Sequence, residues 1–449
     1  MTYLSTRGQA PDLAFDDVLL TGLARDGGLY VPEAWPTFDA HDIAAMAGLS
    51  YTEIARRVIA PFTDGTIGED DLARLIDATY ANFDGTDVAP LKPLGDNSWL
   101  MELFHGPTLA FKDYAMQFLG RMFDHVLSQR GQRVTIVGAT SGDTGPAAIE
   151  ACRDRDAIDI FILYPEGRVS DVQRRQMTTV SSSNVHCIAV KGTFDDCQNL
   201  LKALFNDQPF RDRCNLSAVN SINWVRVMAQ IVYYFYGASR VGAPVSFAVP
   251  TGNFGNVFAG YSARNMGLGI EQLIIGSNRN DILTRFFHSG KMQTGQVHAT
   301  ISPSMDIQIS SNFERLLFDL CDRNGGAVRA IMNTFAETGS FALGEKQMDI
   351  ARSLFDAVHF DDDATKRVID QVYQDTGELL DPHSAIAVAA AKARRNNSNT
   401  PLIALATAHP AKFPDAVQAA SGVRPQLPDH LADLFARPER QVVLDNDVT

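Results

Sequence analysis

The sequence predicts an α/β protein with a largely parallel sheet covered by helices on both faces, preceded by a helical N-terminal unit. Three observations carry this. Short apolar runs alternate with stretches of helical spacing from about residue 98 to residue 406. The first 95 or so residues show helical spacing broken by Pro and Gly instead. Small and polar residues gather where the apolar runs end. Strands separated by helices imply βαβ crossovers, which pair strands in parallel and bury both faces of the sheet.

Taken in order, residues 50–59 and 69–81 place apolar side chains on one helical face. The proline-punctuated stretch Pro90-Leu91-Lys92-Pro93 predicts a boundary, giving a helical unit 1–95 and an α/β region 96–449. Within the latter, 127–221 is expected to form a smaller α/β subdomain. Strands are expected at 98–103, 134–137, 158–163, 185–190, 245–249, 273–276 and 401–406. Helices are expected at 115–126, from about 145, at 194–205 and at 257–265.

Composition narrows the function. The 449 residues are 45% hydrophobic and 20% charged, as in a folded globular protein of two or three units. A net charge of −14 without a basic patch argues against nucleic acid and anionic membranes as partners. Five cysteines form no Cys-x-x-Cys pair and no His is spaced for zinc, so core thiols and no metal are expected. The N-terminus lacks an apolar signal core and no run is long enough to span a bilayer, which predicts a cytoplasmic location.

In parallel sheets ligands sit beyond the carboxyl ends of strands, and three such junctions carry chemistry. In Val137-Gly138-Ala139-Thr140-Ser141-Gly142-Asp143-Thr144-Gly145-Pro146, hydroxyls and helix-start N–H groups make an anion site, or only an ordinary capped loop. In Val249-Pro250-Thr251-Gly252-Asn253-Phe254-Gly255-Asn256, two glycines and two asparagines tolerate positive φ and let N–H groups converge on a phosphate. This second loop is neither a P-loop nor a dinucleotide fingerprint. In the third, Lys112 stands among Leu109, Phe111 and Tyr114, an apolar setting that would hold its amine neutral and fit for imine formation. Read alone, Lys112 is more readily a solvated lysine at a helix start, and it is the two other loops that favour the buried amine.

Together these segments resemble the threonine synthases, pyridoxal-phosphate enzymes of fold type II. The resemblance runs through Tyr3-x-Ser5-Thr6-Arg7-Gly8, Glu102-Leu103-Phe104-His105-Gly106-Pro107-Thr108-Leu109-Ala110-Phe111-Lys112-Asp113 and Asn220-Ser221-Ile222-Asn223-Trp224-x-Arg226. It continues in Ser304-Met305-Asp306-Ile307, Ser311-Asn312-Phe313-Glu314-Arg315, Asp381-Pro382-His383 and Thr407-Ala408-His409-Pro410-Ala411-Lys412-Phe413. It covers nearly the whole chain and points to the longer branch of the family. It implies a tryptophan synthase beta-like fold, with two parallel-sheet subdomains and the helical N-terminal unit.

The implied cofactor is pyridoxal 5'-phosphate, attached at Lys112 as a Schiff base. Gly252, Asn253, Phe254, Gly255 and Asn256 would hold its phosphate, and Thr407 would face its pyridine nitrogen. Ser141, Asp143 and Thr144 would receive the substrate carboxylate, with Asp143 either touching the cofactor or bracing the loop. Arg226, Asn312 and Arg315 are the candidates for the substrate phosphate, although each arginine reads equally well as a structural ion-pair partner. The implied reaction turns O-phosphohomoserine and water into threonine and phosphate, in a monomer or homodimer. A phospho-lyase releasing 2-oxobutanoate and a noncatalytic phosphate-binding module are the alternatives.

Overall fold

A computed structural model describes residues 1–85, 87–217 and 222–447. Among these, the larger sheet runs in the order Phe355–His359, Ile270–Ser277, Val245–Pro250, Leu402–Ala406, Ser98–Glu102, Leu91–Gly95. All its neighbours are parallel except the last pair. The smaller sheet orders Val442–Asp445, Val185–Lys191, Ile158–Pro165, Val134–Ala139, Leu216–Ser217, all parallel. Val245–Pro250 and Leu402–Ala406 are buried along their whole length, as expected of strands covered on both faces.

The two parallel sheets agree with the expected architecture, and two strands add to it. Leu91–Gly95 pairs antiparallel with Ser98–Glu102, so the proline-rich connection is an edge strand of the larger sheet rather than a linker. Edge positions tolerate Pro93, whose missing N–H no neighbour requires. The C-terminal Val442–Asp445 closes the far edge of the smaller sheet with side chains that remain exposed. Asn220 and Ser221, and with them the far end of the expected 127–221 subdomain, lie outside the described residues.

The N-terminal helices Tyr51–Thr63 and Glu69–Tyr80 share one continuous apolar core with the rest of the chain. Its keystone is Trp224, fully buried at the start of the Trp224–Val241 helix. Tyr3, Trp35 and Phe62 surround its ring at 6.0, 6.0 and 5.6 Å. Truncation of such a tryptophan to alanine costs about 3–5 kcal/mol. Helix Lys112–Arg130 packs on Thr144–Cys152 so closely that a Cβ on Gly120 would lie 2.2 Å from the Ala151 carbonyl. No helix among the described residues is long and apolar enough to cross a membrane.

Candidate active site

Strands Ser98–Glu102, Leu402–Ala406, Val245–Pro250 and Val134–Ala139 all end toward one cleft, and each carries one predicted loop. The loop before Lys112 is zipped to the one bearing Thr407. Ala110 and Ala408 form an antiparallel bridge, Phe111 N–H donates to the Thr407 carbonyl at 2.9 Å, and His409 N–H to the Leu109 carbonyl at 3.0 Å. Lys112 and Thr407 are therefore held at a set spacing by backbone alone.

Around Lys112 lies a buried polar network. Asp143 reaches the Lys112 ammonium at 3.6 Å and that of Lys412 at 3.0 Å, and accepts from Gln173 Nε2 at 2.9 Å and Ser304 Oγ at 3.2 Å. Ser304 N–H donates to His383 Nε2, which places the ring proton on Nδ1, 2.6 Å from Asp381. Burial alone would raise the Asp143 carboxyl. The charges of Lys412 and Lys112 outweigh it and hold the group far below the ordinary carboxylate range. Asp143 thus ties the loop to both lysines, to Ser304 and to Gln173.

The two lysines differ in what they can do. Lys412 is fully buried, and its three N–H bonds find Asp143, the Thr108 carbonyl at 2.6 Å and Gln176 Oε1 at 3.3 Å. Asp113 fixes Thr108 in turn, accepting its N–H at 2.8 Å and its hydroxyl at 2.6 Å. Every proton of the Lys412 ammonium is thus accepted by the fold. Lys112 has only the longer contact to Asp143. Burial lowers its pKa, Asp143 opposes this, and Lys412 and Arg226 add to the lowering. Lys112 is thus the amine free to lose a proton.

The Gly252–Asn256 loop enters helix Gly255–Asn265 with Phe254 in the left-handed region at φ 62°, so the positive φ falls on Phe254 rather than on a glycine or asparagine. Packing overrides the local preference, because the Phe254 ring is buried against Phe313, Phe287 and Phe355. Gly252 is required for a different reason. A Cβ there would meet the Ser304 carbonyl at 2.8 Å. At Gly255 a Cβ would come 3.3 Å from Asn312 Nδ2.

Several groups stand ready for a bound anionic cofactor. Asn256 Nδ2 is buried at the helix start without a partner, although Tyr233 and Tyr234 donate to its Oδ1 at 2.5 and 3.0 Å. The Thr407 N–H donates to Ser384 Oγ at 3.0 Å. Its hydroxyl makes no bond to another described residue. Helix-start N–H groups, an orphaned amide, a free hydroxyl and a buried amine fit the phosphate, ring nitrogen and aldehyde of pyridoxal phosphate.

The candidates for the substrate separate. Ser141 is exposed, and no bond ties its hydroxyl or that of Thr144 to a described residue. Arg226 is 5% exposed, and its Nε and Nη1 have no hydrogen-bond partner. Burial pulls its pKa down to about 10. Arg315 is committed to the fold instead, donating to the Tyr30 carbonyl at 3.0 Å, the Ile222 carbonyl at 2.6 Å and Asn312 Oδ1. Asn312 N–H and Nδ2 both donate to the Asn253 carbonyl, at 3.1 and 3.0 Å, so this pair braces the phosphate loop. Among the described residues neither arginine makes the ion pair considered for it.

Lys412, Ser304, Gln173 and His383 were not singled out individually in the sequence, although three of them sit in the family-like segments. A lysine five residues beyond Thr407 at the same strand end was the available signal.

A parallel α/β chain with a buried lysine at its strand ends is the arrangement of a pyridoxal-phosphate enzyme of fold type II, and residues 84–337 match the family described as pyridoxal-phosphate dependent enzyme. Residues 2–80 and 384–449 match the threonine synthase N terminus and the threonine synthase C-terminal families. The chain is 56% identical to threonine synthase of Pseudomonas aeruginosa, across 100% of this chain and 96% of that protein. A crystal structure of pyridoxal-phosphate-bound threonine synthase from Brucella melitensis superposes with a TM-score of 0.98 at 56% identity, covering 100% and 97% of the two chains. Yeast threonine synthase gives 0.95 at 39%, covering 100% and 96%. The chain belongs to the threonine synthase family.

Proposed function

We propose that the chain converts O-phospho-L-homoserine and water into L-threonine and phosphate, with Lys112 as proton carrier and Arg226 as receptor of the substrate phosphate. The observation that carries this reading is the pairing of a buried amine whose pKa burial lowers with a buried guanidinium whose Nε and Nη1 have no hydrogen-bond partner. Bound pyridoxal phosphate supplies the electron sink that makes protons at Cα and Cβ of the substrate labile.

Gly252, Asn253, Phe254, Gly255 and Asn256 hold the cofactor phosphate through backbone N–H groups and the Asn256 amide. Thr407 turns its hydroxyl to the pyridine nitrogen. Ser141 and Thr144, on the loop that Asp143 anchors, receive the substrate carboxylate, while Asn312 and Arg315 keep the phosphate loop in place. Lys112 removes the protons at Cα and Cβ and returns protons at Cγ and Cα. Phosphate leaves Cγ toward Arg226, and water adds at Cβ. We place the enzyme in the cytoplasm as a monomer or homodimer acting on a small molecule, in keeping with its net charge of −14.

Product analysis tests the reaction. In heavy water enriched in oxygen-18, threonine should carry deuterium at Cα and in the methyl group, and heavy oxygen in the hydroxyl. Homoserine without carbon-bound deuterium, or 2-oxobutanoate with ammonia, as the main product would refute the assignment.

The phosphate receptor has its own test. Arg226→Gln should lower kcat/KM by about 10- to 100-fold, as expected when a charged hydrogen bond to the substrate is lost. The variant should remain folded, since no described residue depends on the Nε or Nη1 donors. Unchanged kcat/KM in a folded variant would move the phosphate elsewhere.

A further inference from the structure

We propose a second, peripheral anion site for a phosphate group, between helices Lys112–Arg130 and Thr144–Cys152, where Arg121, Arg155 and the buried amide of Gln117 line one cavity. The cavity has a volume of about 350 Å³. Gln117 and Arg121 are one helical turn apart and so share a face. Arg155 arrives from the other helix, in the connection after Cys152, where its Nε donates to the Ala151 carbonyl at 3.4 Å. The close Gly120–Ala151 approach brings these two elements together.

Donors here outnumber acceptors. Gln117 is 2% exposed and its Nε2 has no partner, and Arg121 Nε is likewise buried and unmatched. Neither Arg121 nor Arg155 forms an ion pair among the described residues. The nearby acids are already engaged, since Arg153 holds Glu150 at 3.0 Å and Asp154 at 3.1 Å. Burial, and then the like charge of Arg155, push the Arg121 pKa down to about 10 against the opposing charge of Asp124, which makes no ion pair with it. In a chain of net charge −14, two unpaired guanidiniums at one cavity need an anion from outside. Guanidinium forks match the oxygens of a phosphate group, and the Gln117 amide supplies a further donor. The group is either free inorganic phosphate or the phosphate of a small ester.

Calorimetry on the holoenzyme at fixed ionic strength decides this, with inorganic phosphate in one arm and glycerol 3-phosphate in the other. The wild type should bind one more equivalent than the R121Q/R155Q variant, and each single variant should weaken that equivalent at least 10-fold. Activity should stay unchanged, because neither arginine belongs to the catalytic machinery. This difference separates the peripheral site from phosphate bound near Arg226. Tighter glycerol 3-phosphate identifies an ester as the ligand, and equal or weaker binding identifies free phosphate. Should R121Q fail to fold, R155Q decides alone, since Arg155 sits in a partly exposed connection. Equal stoichiometry and affinity in wild type and variant would overturn the proposal.

Discussion

Lys112→Ala is expected to lower turnover of O-phosphohomoserine by a factor on the order of 10² to 10⁴, the usual worth of a positioned proton carrier. Among the described residues its one ion-pair partner is Asp143 at 3.6 Å, and Asp143 keeps Lys412, Gln173 and Ser304 when the side chain is removed. The fold should therefore survive. The wild-type holoenzyme should be yellow, and borohydride should fix the cofactor to Lys112. In the alanine variant the colour should wash out on dialysis. Lys412 stands on the other side of the same carboxylate and is the rival attachment point, so the two lysines must be told apart by peptide mapping. Label on Lys412 would reverse the roles assigned to them.

Lys412→Met should be the most damaging change after those at Lys112. Breaking a buried ion pair by deleting one partner costs about 3–5 kcal/mol, because the remaining charge is left uncompensated. Urea unfolding measures this. Asp143 is held below the ordinary carboxylate range, so its contribution is present at neutral pH and is lost on acidification. The stability gap between wild type and variant should accordingly narrow as pH falls below about 4. Activity carries a second signature. Lys412 lowers the Lys112 pKa, so its removal raises that pKa and moves the rising limb of the pH–kcat/KM profile upward. A destabilised variant with an unshifted profile would reduce Lys412 to a packing role.

The parallel sheets were legible because buried strands read as unbroken apolar runs, as in Val245–Pro250, and because the loops that follow them change composition abruptly. Lys112 and Thr407 were legible through the family-like segments that contain them. What the chain did not disclose is which donors remain unmatched after folding. Arg226 and Arg315 look alike in sequence, and only the carbonyls of Tyr30 and Ile222 distinguish them. Lys412 looked like an ordinary polar residue near a strand end until burial placed it against Asp143. The conformation of Phe254 was hidden for the same reason, since an aromatic cluster outweighed its local preference. The exposed strand Val442–Asp445 carries no burial pattern from which to predict it.

The bracing of the phosphate loop also sets an order of events in the life of the chain. Asn312 and Arg315 hold that loop from one end of helix Phe313–Leu320, and the same helix is moored to the N-terminus. Thr6 donates to Glu314 at 2.7 Å across 308 positions of sequence, Arg7 pairs with it at 2.9 Å, and Arg315 reaches back to Tyr30. The strand Tyr3–Ser5 pairs locally with Tyr30–Pro32, but the contacts of Thr6 and Arg7 to Glu314 wait until about 300 more residues have been made. Contacts of such long separation form late, after the entropy of closing the loop has been overcome. Capture of the cofactor is accordingly a closing step of maturation, since a nascent chain truncated before Phe313 would lack both the bracing helix and Leu402–Ala406, the strand that joins the two halves of the larger sheet.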